Sequence, residues 1–405
     1  MDVFSMSTRK FAIVGLFVIL KVLPLILGVP SMADDRVEGR VRARDLGLEP
    51  GVFTPGPHNA ITDVKGVRVG HLTIHEPGES HTGVTAILPH PGNLFQEKVA
   101  AGVFVGNAFG KLAGSTQIEE LGTIESPIIL TNTLSVGPAV EAVVRYTLRQ
   151  PGNGSVVSVN AVVGETNDAG LNNIRALPIR VEHVIQAIEN AREGPVAEGT
   201  VGAGTGTQCF GWKGGIGTSS RVLPDRYGGY TLGVLVQSNF GGVLNIDGAP
   251  VGKRLGRHSF VSPPDDPSKG ANKSAKSKED GSCMIVVATD APVDARELRR
   301  IAARAIYGMA RTGASFSSSS GDYAIAFSTA PTMRTRHGSQ RQGARDPLSS
   351  DAVSPLFQAT LEATEEAILN SLLQATTVEH RGHTAQAIPI DQVKGILSGG
   401  RDLPR

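Results

Sequence analysis

Cysteine is nearly missing from this chain: Cys209 and Cys283 are the only two in 405 residues. Two thiols cannot build a stapling framework, so the apolar core has to hold the fold. Aromatic residues make up 5% of the chain, which speaks against an aromatic binding surface. Excess charge of one sign is also lacking. With 39 basic and 38 acidic residues the net charge is +1, and nothing argues for an electrostatic grip on nucleic acid or lipid. That balance favours small molecules or peptides as partners. Ten histidines, His58, His71, His75, His81 and His90 among them, never fall into H-E-x-x-H or a comparable ligand spacing. No metal or other cofactor is therefore expected, although a site assembled from distant parts of the chain stays open. A G-x-S-x-G elbow is absent too, so no serine-histidine triad is visible.

What is present is a hydrophobic content of 40% and 49 glycines, enough for one large α/β domain or two ordinary ones with many tight turns. The first 33 residues stand apart: Arg9 and Lys10 precede an apolar run from Phe11 to Val29, and Ser31-Met32-Ala33 offers small residues for a signal peptidase. This predicts an export leader cut before Asp34 and a periplasmic or secreted protein, with an uncleaved anchor as the alternative. From Asp34 to about Pro57 a charged, Gly/Pro-rich arm is expected.

Short apolar runs bounded by Gly and Pro then predict strands at Val67–Thr73, Val84–Pro89, Val103–Asn107, Ile128–Thr131, Val156–Val163 and Tyr230–Gln237. Ser135 is placed to cap a helix through Leu148, and Glu182–Ala191 reads as a short amphipathic helix. Residues 252–280 are polar and too long for an ordinary connection, so a mobile surface loop is expected there. After it come a strand at Met284–Thr289 and a helix opened by an Asp294/Glu297 capping box. A strand at Tyr323–Ser328, a basic loop over 333–352 and a helix starting at Ser354-Pro355 complete the chain. In that helix Phe357, Leu361, Ile368 and Leu372 should face inward. The alternation indicates helices packed outside sheets.

Two Gly-containing segments invite chemistry. Gly202-Ala-Gly204-Thr-Gly206-Thr lacks the Lys-Ser/Thr of a phosphate loop and the G-x-G-x-x-G spacing, so packing is its favoured role and nucleotide binding a weak rival. Gly281-Ser282 sits where a polar loop becomes a strand. Were the backbone to break between them, Ser282 would carry a hydroxyl and a free α-amine, a nucleophile and its base in one residue. Such an amine titrates at about 8, so it can take the hydroxyl proton near neutrality without a histidine. Some forty residues on, Ser320-Gly321-Asp322 opens another strand. Period-two alternation puts Ser320 and Asp322 on one face, where a carboxylate can steady an ammonium. Each short motif alone would more often be a turn.

Several longer runs resemble the DmpA-like family, the L-aminopeptidase/D-amidase-esterases and β-aminopeptidases. They are Pro55–His71, Leu130–Gly137, Gly164-Glu165-Thr-Asn167-Asp168, Gly233–Gly241, Asp280-Gly281-Ser282 and Ser320–Ala330, in the family's order. The resemblance implies a four-layer αββα sandwich, similar to N-terminal nucleophile hydrolases but connected differently. It implies self-cleavage into an α chain of 34–281 and a β chain of 282–405, held by one core and assembled further, commonly as tetramers. By the same resemblance Ser282 is the nucleophile, Asn239 the oxyanion donor, and Ser320 and Asp322 position the Ser282 terminus. Glu165 would bind the substrate's free amine, with Asn167 beside it. Asn167 stands where some members carry tyrosine, and Asp322 where others carry glutamate. The implied activity is a serine aminopeptidase acting on short peptides, amides or esters, leaning to the β-aminopeptidase branch. L-aminopeptidase/D-amidase-esterase activity is the alternative, and a non-catalytic ligand-binding relative the rival from another class. Acyl transfer of the ornithine acetyltransferase kind normally uses threonine, and Ser282 speaks against it.

Overall fold

A computed structural model describes residue 1, residues 39–260 except Pro77, and residues 281–400 except Arg341, Gln342 and Ala344. The expected leader beyond Met1 and the 261–280 part of the long loop lie outside the described residues. The apolar runs pair into two large sheets. In the first, Arg68–Glu76, Ser80–Leu88, Ile128–Asn132, Val162–Thr166 and Leu112–Ala113 lie side by side in that order. The second runs Gly215–Val222, Thr231–Asn239, Ser282–Thr289, Gly321–Ser328, Glu97–Ala108 and Thr335–Arg336, with Thr123–Ile124 also paired to Glu97–Ala108.

The sheets stack through their inner faces, where Ile87, Ile128 and Leu130 meet Leu235, Met284, Val286 and Phe327. Helices cover the outer faces. Val136–Leu148 and Val181–Glu189 bury Val143, Val184 and Ala187 against Val84, Ala86 and Val163 of the first sheet. Ala295–Arg311 and Ser354–Leu373 bury Leu298, Met309, Ile368 and Leu372 against Val234, Val236 and Ile285 of the second. The result is the expected αββα sandwich. Strands covered on both faces have no solvent side to alternate with, which is why Cys283–Ala288 is apolar throughout and wholly buried.

Local expectations fared unevenly. Ser135 does precede its helix, but its side chain makes no cap and its Oγ is buried without a partner among the described residues. The strand foreseen at Val156–Val163 forms only over Val162–Thr166, because 155–161 find no neighbouring strand and Val157 stays 98% exposed. Asp294 accepts from the Glu297 amide at 2.9 Å, yet the Glu297 carboxylate turns to Arg296 and Arg300 instead of closing the box. The start of the 252–280 loop contains a helical turn, Val251–Arg254. Strand Gly215–Val222 was not anticipated, since its Gly, Ser and Thr residues hide the apolar pattern.

Helix Ser354–Leu373 packs against both the second sheet and the neighbouring helix Ala295–Arg311, so polar residues are buried on it too. Glu362 and Glu366 bind the fully buried Arg221 at 3.2 and 2.8 Å, and Arg44 reaches Glu366 at 3.0 Å. Charges are tolerated in such a place because each has a partner. The network ties the N-terminal arm to the second sheet.

The Gly202–Gly206 segment serves packing. A Cβ on Gly204 would lie 2.4 Å from the Ile216 amide nitrogen and one on Gly206 would lie 2.2 Å from the His81 carbonyl oxygen. The Gly202 and Ala203 amides are taken by Thr73 and Thr85, and those of Gly204, Thr205 and Thr207 by backbone carbonyls, which leaves no cradle for an anion.

Candidate active site

Strand pairing alone gathers the sequence-distant candidates at one end of the second sheet. Thr231–Asn239 is antiparallel to Ser282–Thr289, so the last residue of one pairs with the first of the other: Asn239 stands opposite Ser282. Ser282–Thr289 is parallel to Gly321–Ser328, through the crossover helix Ala295–Arg311, so Ser282 also pairs with Gly321. Ser320 and Asp322 flank that partner. Their side chains do share a face, for Ser320 Oγ donates to Asp322 Oδ1 at 2.8 Å. Burial pushes the Asp322 pKa up to about 6, against the pull of the Ser320 hydroxyl and the Cys283 N–H. Its second oxygen is buried without a partner among the described residues.

Ser282 is itself buried, and its hydroxyl folds back on the preceding residue. Oγ donates to the Gly281 carbonyl oxygen at 2.5 Å, and the Gly321 N–H lies 3.3 Å from both that oxygen and Oγ. The hydroxyl and a backbone donor thus converge on one carbonyl. Ser320 Oγ is close by, 3.2 Å from where a Cβ on Gly281 would stand.

Glu165 reaches the same place from the other sheet. Strand Val162–Thr166 ends at this edge, and a cleft of about 500 Å³ is lined by Glu165, Asn167, Lys111, Thr133, Phe109, Gly281 and Ser282, among others. Although 2% exposed, the carboxylate is fully engaged: the Lys111 N–H donates at 3.0 Å, Lys111 Nζ lies at 3.3 Å, and Thr133 Oγ1 donates to the other oxygen. Gly110 makes the arrangement fit, since a Cβ there would come within 3.0 Å of Glu165 Oε1. Lys111 lies in no motif that would have marked it, and Thr133 lies in the Leu130–Gly137 run without a role assigned to it. Register within the first sheet brings them to Glu165: Leu112 pairs with Gly164 and Asn132 with Thr166, and Lys111 and Thr133 are the next residues along.

The orientation of Asn239 is set by its neighbours. The Gln208 N–H donates to Oδ1 at 2.9 Å, which turns Nδ2 toward the Asn167 carbonyl at 3.0 Å and leaves its second hydrogen for another acceptor. Asn167 therefore contributes a backbone carbonyl, while its side chain closes a local turn on the Ala169 amide. Gln208 pairs with Lys213 across a short two-stranded ladder, and the buried Lys213 side chain ties the surrounding loop: Nζ donates to the Gly204 and Gly214 carbonyls at 2.7 and 2.8 Å, and the Gly214 N–H donates to the Thr207 carbonyl. Burial pushes the Lys213 pKa down to about 7. Two acceptors match the two N–H bonds of a neutral amine.

Asp168, next to Asn167, is also buried, with Thr82 Oγ1 donating at 2.5 Å and Asn172 Nδ2 at 2.9 Å. Burial pushes its pKa up to about 7, whereas an unfolded aspartate titrates at about 3.9. Between those values the folded state keeps a proton that the unfolded state has lost, so this contribution to stability declines as pH rises through the window. Asp168→Asn cannot ionise and escapes the decline. Its urea midpoint relative to the unmodified protein should climb from about pH 4 to about pH 8, whereas a flat difference would mean that Asp168 is already ionised when folded.

Among the described residues no group of three or more His, Cys, Asp or Glu side chains could hold a metal ion. His71 bonds Thr85, His75 bonds His81, and His90 bonds the Glu97 carbonyl. Both cysteines are free and buried. Residues 59–385 match peptidase family S58. The chain belongs to that family. It is 40% identical over 375 residues to the β-peptidyl aminopeptidase BapA of Sphingosinicella microcystinivorans, covering 89% of this S58 chain and 93% of that protein. A β-aminopeptidase from Burkholderia sp. superposes with a TM-score of 0.80 at 39% identity, over 90% of this chain and 100% of that one. The L-aminopeptidase D-Ala-esterase/amidase of Ochrobactrum anthropi, described as a serine aminopeptidase and a new variant of the Ntn hydrolase fold, gives 0.78 at 34%, over 90% and 99%.

Proposed function

We propose that this S58 peptidase is an autoprocessing serine aminopeptidase that releases β-amino acid residues from the N-terminus of short peptides, amides and esters. One observation carries the reading: the Ser282 hydroxyl and the Glu165 carboxylate face the same cleft. A nucleophile and an ammonium acceptor in one cleft select substrates by their free amine.

In processing, Ser282 Oγ attacks the Gly281 carbonyl carbon, its proton passes to the Ser282 nitrogen as the Gly281–Ser282 C–N bond breaks, and the acyl group moves to oxygen. Water then hydrolyses the ester, leaving an α chain of 34–281 and a β chain of 282–405. The Gly321 N–H, 3.3 Å from the Gly281 oxygen, supports this step by favouring charge on that oxygen. The new Ser282 ammonium supplies the donor that Asp322 Oδ2 lacks, and Ser320 holds the other oxygen. Its neutral form is the base for Ser282 Oγ, and the unused Asn239 Nδ2 hydrogen receives the oxyanion of the substrate. The BapA relatives and Asn167 support the β-amino acid preference. An export leader before Asp34, a periplasmic or secreted location and assembly of αβ units into tetramers complete the reading.

Denaturing electrophoresis with N-terminal sequencing and a matched panel of α-, β- and D-aminoacyl p-nitroanilides test it together. Two chains, the smaller beginning at Ser282, and fastest turnover of β-aminoacyl anilides are expected. One intact chain, or a fragment starting elsewhere, contradicts processing. A preference for L-α- or D-residues moves the protein to the L-aminopeptidase/D-amidase reading.

A further inference from the structure

Among the described residues lining the cleft, Glu165 is the only anion and Lys111 the only cation, and they stand 3.3 Å apart. Their burial differs sharply: the Glu165 side chain is 2% exposed and that of Lys111 51%. The carboxylate marks the floor of the cleft, and the ammonium marks its mouth. Both lie on the acyl side of Ser282, since Lys111 touches the group proposed to hold the substrate's amine. Lys111 therefore senses the N-terminal residue and not the leaving group.

We propose that Glu165 and Lys111 together form a receptor for an N-terminal residue bearing a carboxylate on the same carbon as its free amine, so that β-linked aspartyl peptides are the favoured substrates. This rests on the β-aminopeptidase reading above. In a β-aminoacyl substrate the amine is on the second carbon from the scissile carbonyl. When that carbon also carries a carboxylate, the residue is aspartate linked through its side chain. Its ammonium displaces Lys111 Nζ from Glu165, and the freed lysine, already half in solvent, pairs with the neighbouring carboxylate. One ion pair is exchanged for two of opposite order, and no charge is left unpartnered. Ser282 Oγ attacks the side-chain carbonyl and its proton passes through the Ser282 amine to the leaving nitrogen as the C–N bond breaks. Water then hydrolyses the ester to free aspartate.

The test compares the p-nitroanilide of the aspartate side chain with its α-methyl ester and with β-alanine p-nitroanilide, using the purified, processed enzyme. The free acid should exceed both in kcat/KM by about tenfold, the worth of one hydrogen bond to a charged group. Lys111→Met should erase that preference, mostly through KM, and Lys111→Arg should keep most of it. Appearance of both chains on a denaturing gel shows that the variants fold. The inference is overturned if the free acid is no better than β-alanine p-nitroanilide, or if the Met variant keeps the preference. Cleavage of the β-alanyl anilide with no gain for the free acid sinks this inference alone. Failure on every β-aminoacyl anilide, with α-aminoacyl anilides cleaved, sinks the β-aminopeptidase reading and this inference with it.

Discussion

Ser282→Ala should give a single uncut chain with no detectable aminopeptidase activity. Among the described residues the hydroxyl is the one side-chain group bonded to the Gly281 carbonyl, at 2.5 Å, and under the proposed mechanism its removal abolishes both the first acyl shift and the later attack on substrate. A missing nucleophile typically costs about a millionfold in kcat. The fold should survive, because the Gly321 N–H still has the Gly281 oxygen as its acceptor and the change removes one oxygen atom from a buried strand start. Point substitutions that create no large cavity and leave no charge stranded typically destabilise by about 1 kcal/mol. Electrophoresis, a thermal melt and an anilide assay on the same preparation check all three statements. Cleavage at the Gly281–Ser282 bond in the alanine variant would refute the role given to Ser282.

Glu165→Gln should process normally and then bind substrate poorly, with kcat/KM lowered by about a hundredfold and most of the loss in KM. The two steps separate because they present different groups to the cleft. Before cleavage Ser282 nitrogen is part of an internal peptide bond, so processing offers no ammonium for Glu165 to hold. A substrate does. Replacing the carboxylate by an amide keeps the shape and much of the bonding to Thr133 and the Lys111 N–H but withdraws the charge. A hydrogen bond to a charged group contributes about 1.5–3 kcal/mol, which gives a tenfold to hundredfold effect, and an amide left facing an ammonium adds to it. Lys111 loses its counter-ion without being stranded, since its side chain is half in solvent. If processing and turnover fail together, Glu165 is a structural residue and the proposed division of labour is wrong.

Much of the site is legible in the sequence because its chemistry is written in short contiguous words. Gly281-Ser282 at a loop-to-strand junction and Ser320-Gly321-Asp322 with its period-two geometry need only local rules, and the observed 2.8 Å bond between Ser320 and Asp322 follows from them. The roles of Asn239 and Glu165 needed family words, since a lone asparagine or glutamate is more often a turn or a surface group. Local rules also failed where the outcome is settled by a neighbour. Residues 155–161 contain β-formers yet lack a strand to pair with, and Ser135 is adjacent to a helix end without bonding it.

By itself, then, the sequence determined the class of residues, the packing of helices outside sheets that alternating elements indicate, the αββα layering that the family resemblance implies, and the chemistry available to a serine that becomes a chain end. Only the tertiary structure decided which groups meet. Antiparallel register set Asn239 opposite Ser282, and the stacking of two sheets brought Glu165 from one to Ser282 on the other. Strand register within the first sheet gave Glu165 its Lys111 and Thr133 partners, and a buried Lys213 braced the loop that turns Asn239. Apart from the local bonds of Lys213, none of these pairs is near in sequence. Their proximity arises from strand register and from the burial of apolar faces, both of which depend on the whole chain at once.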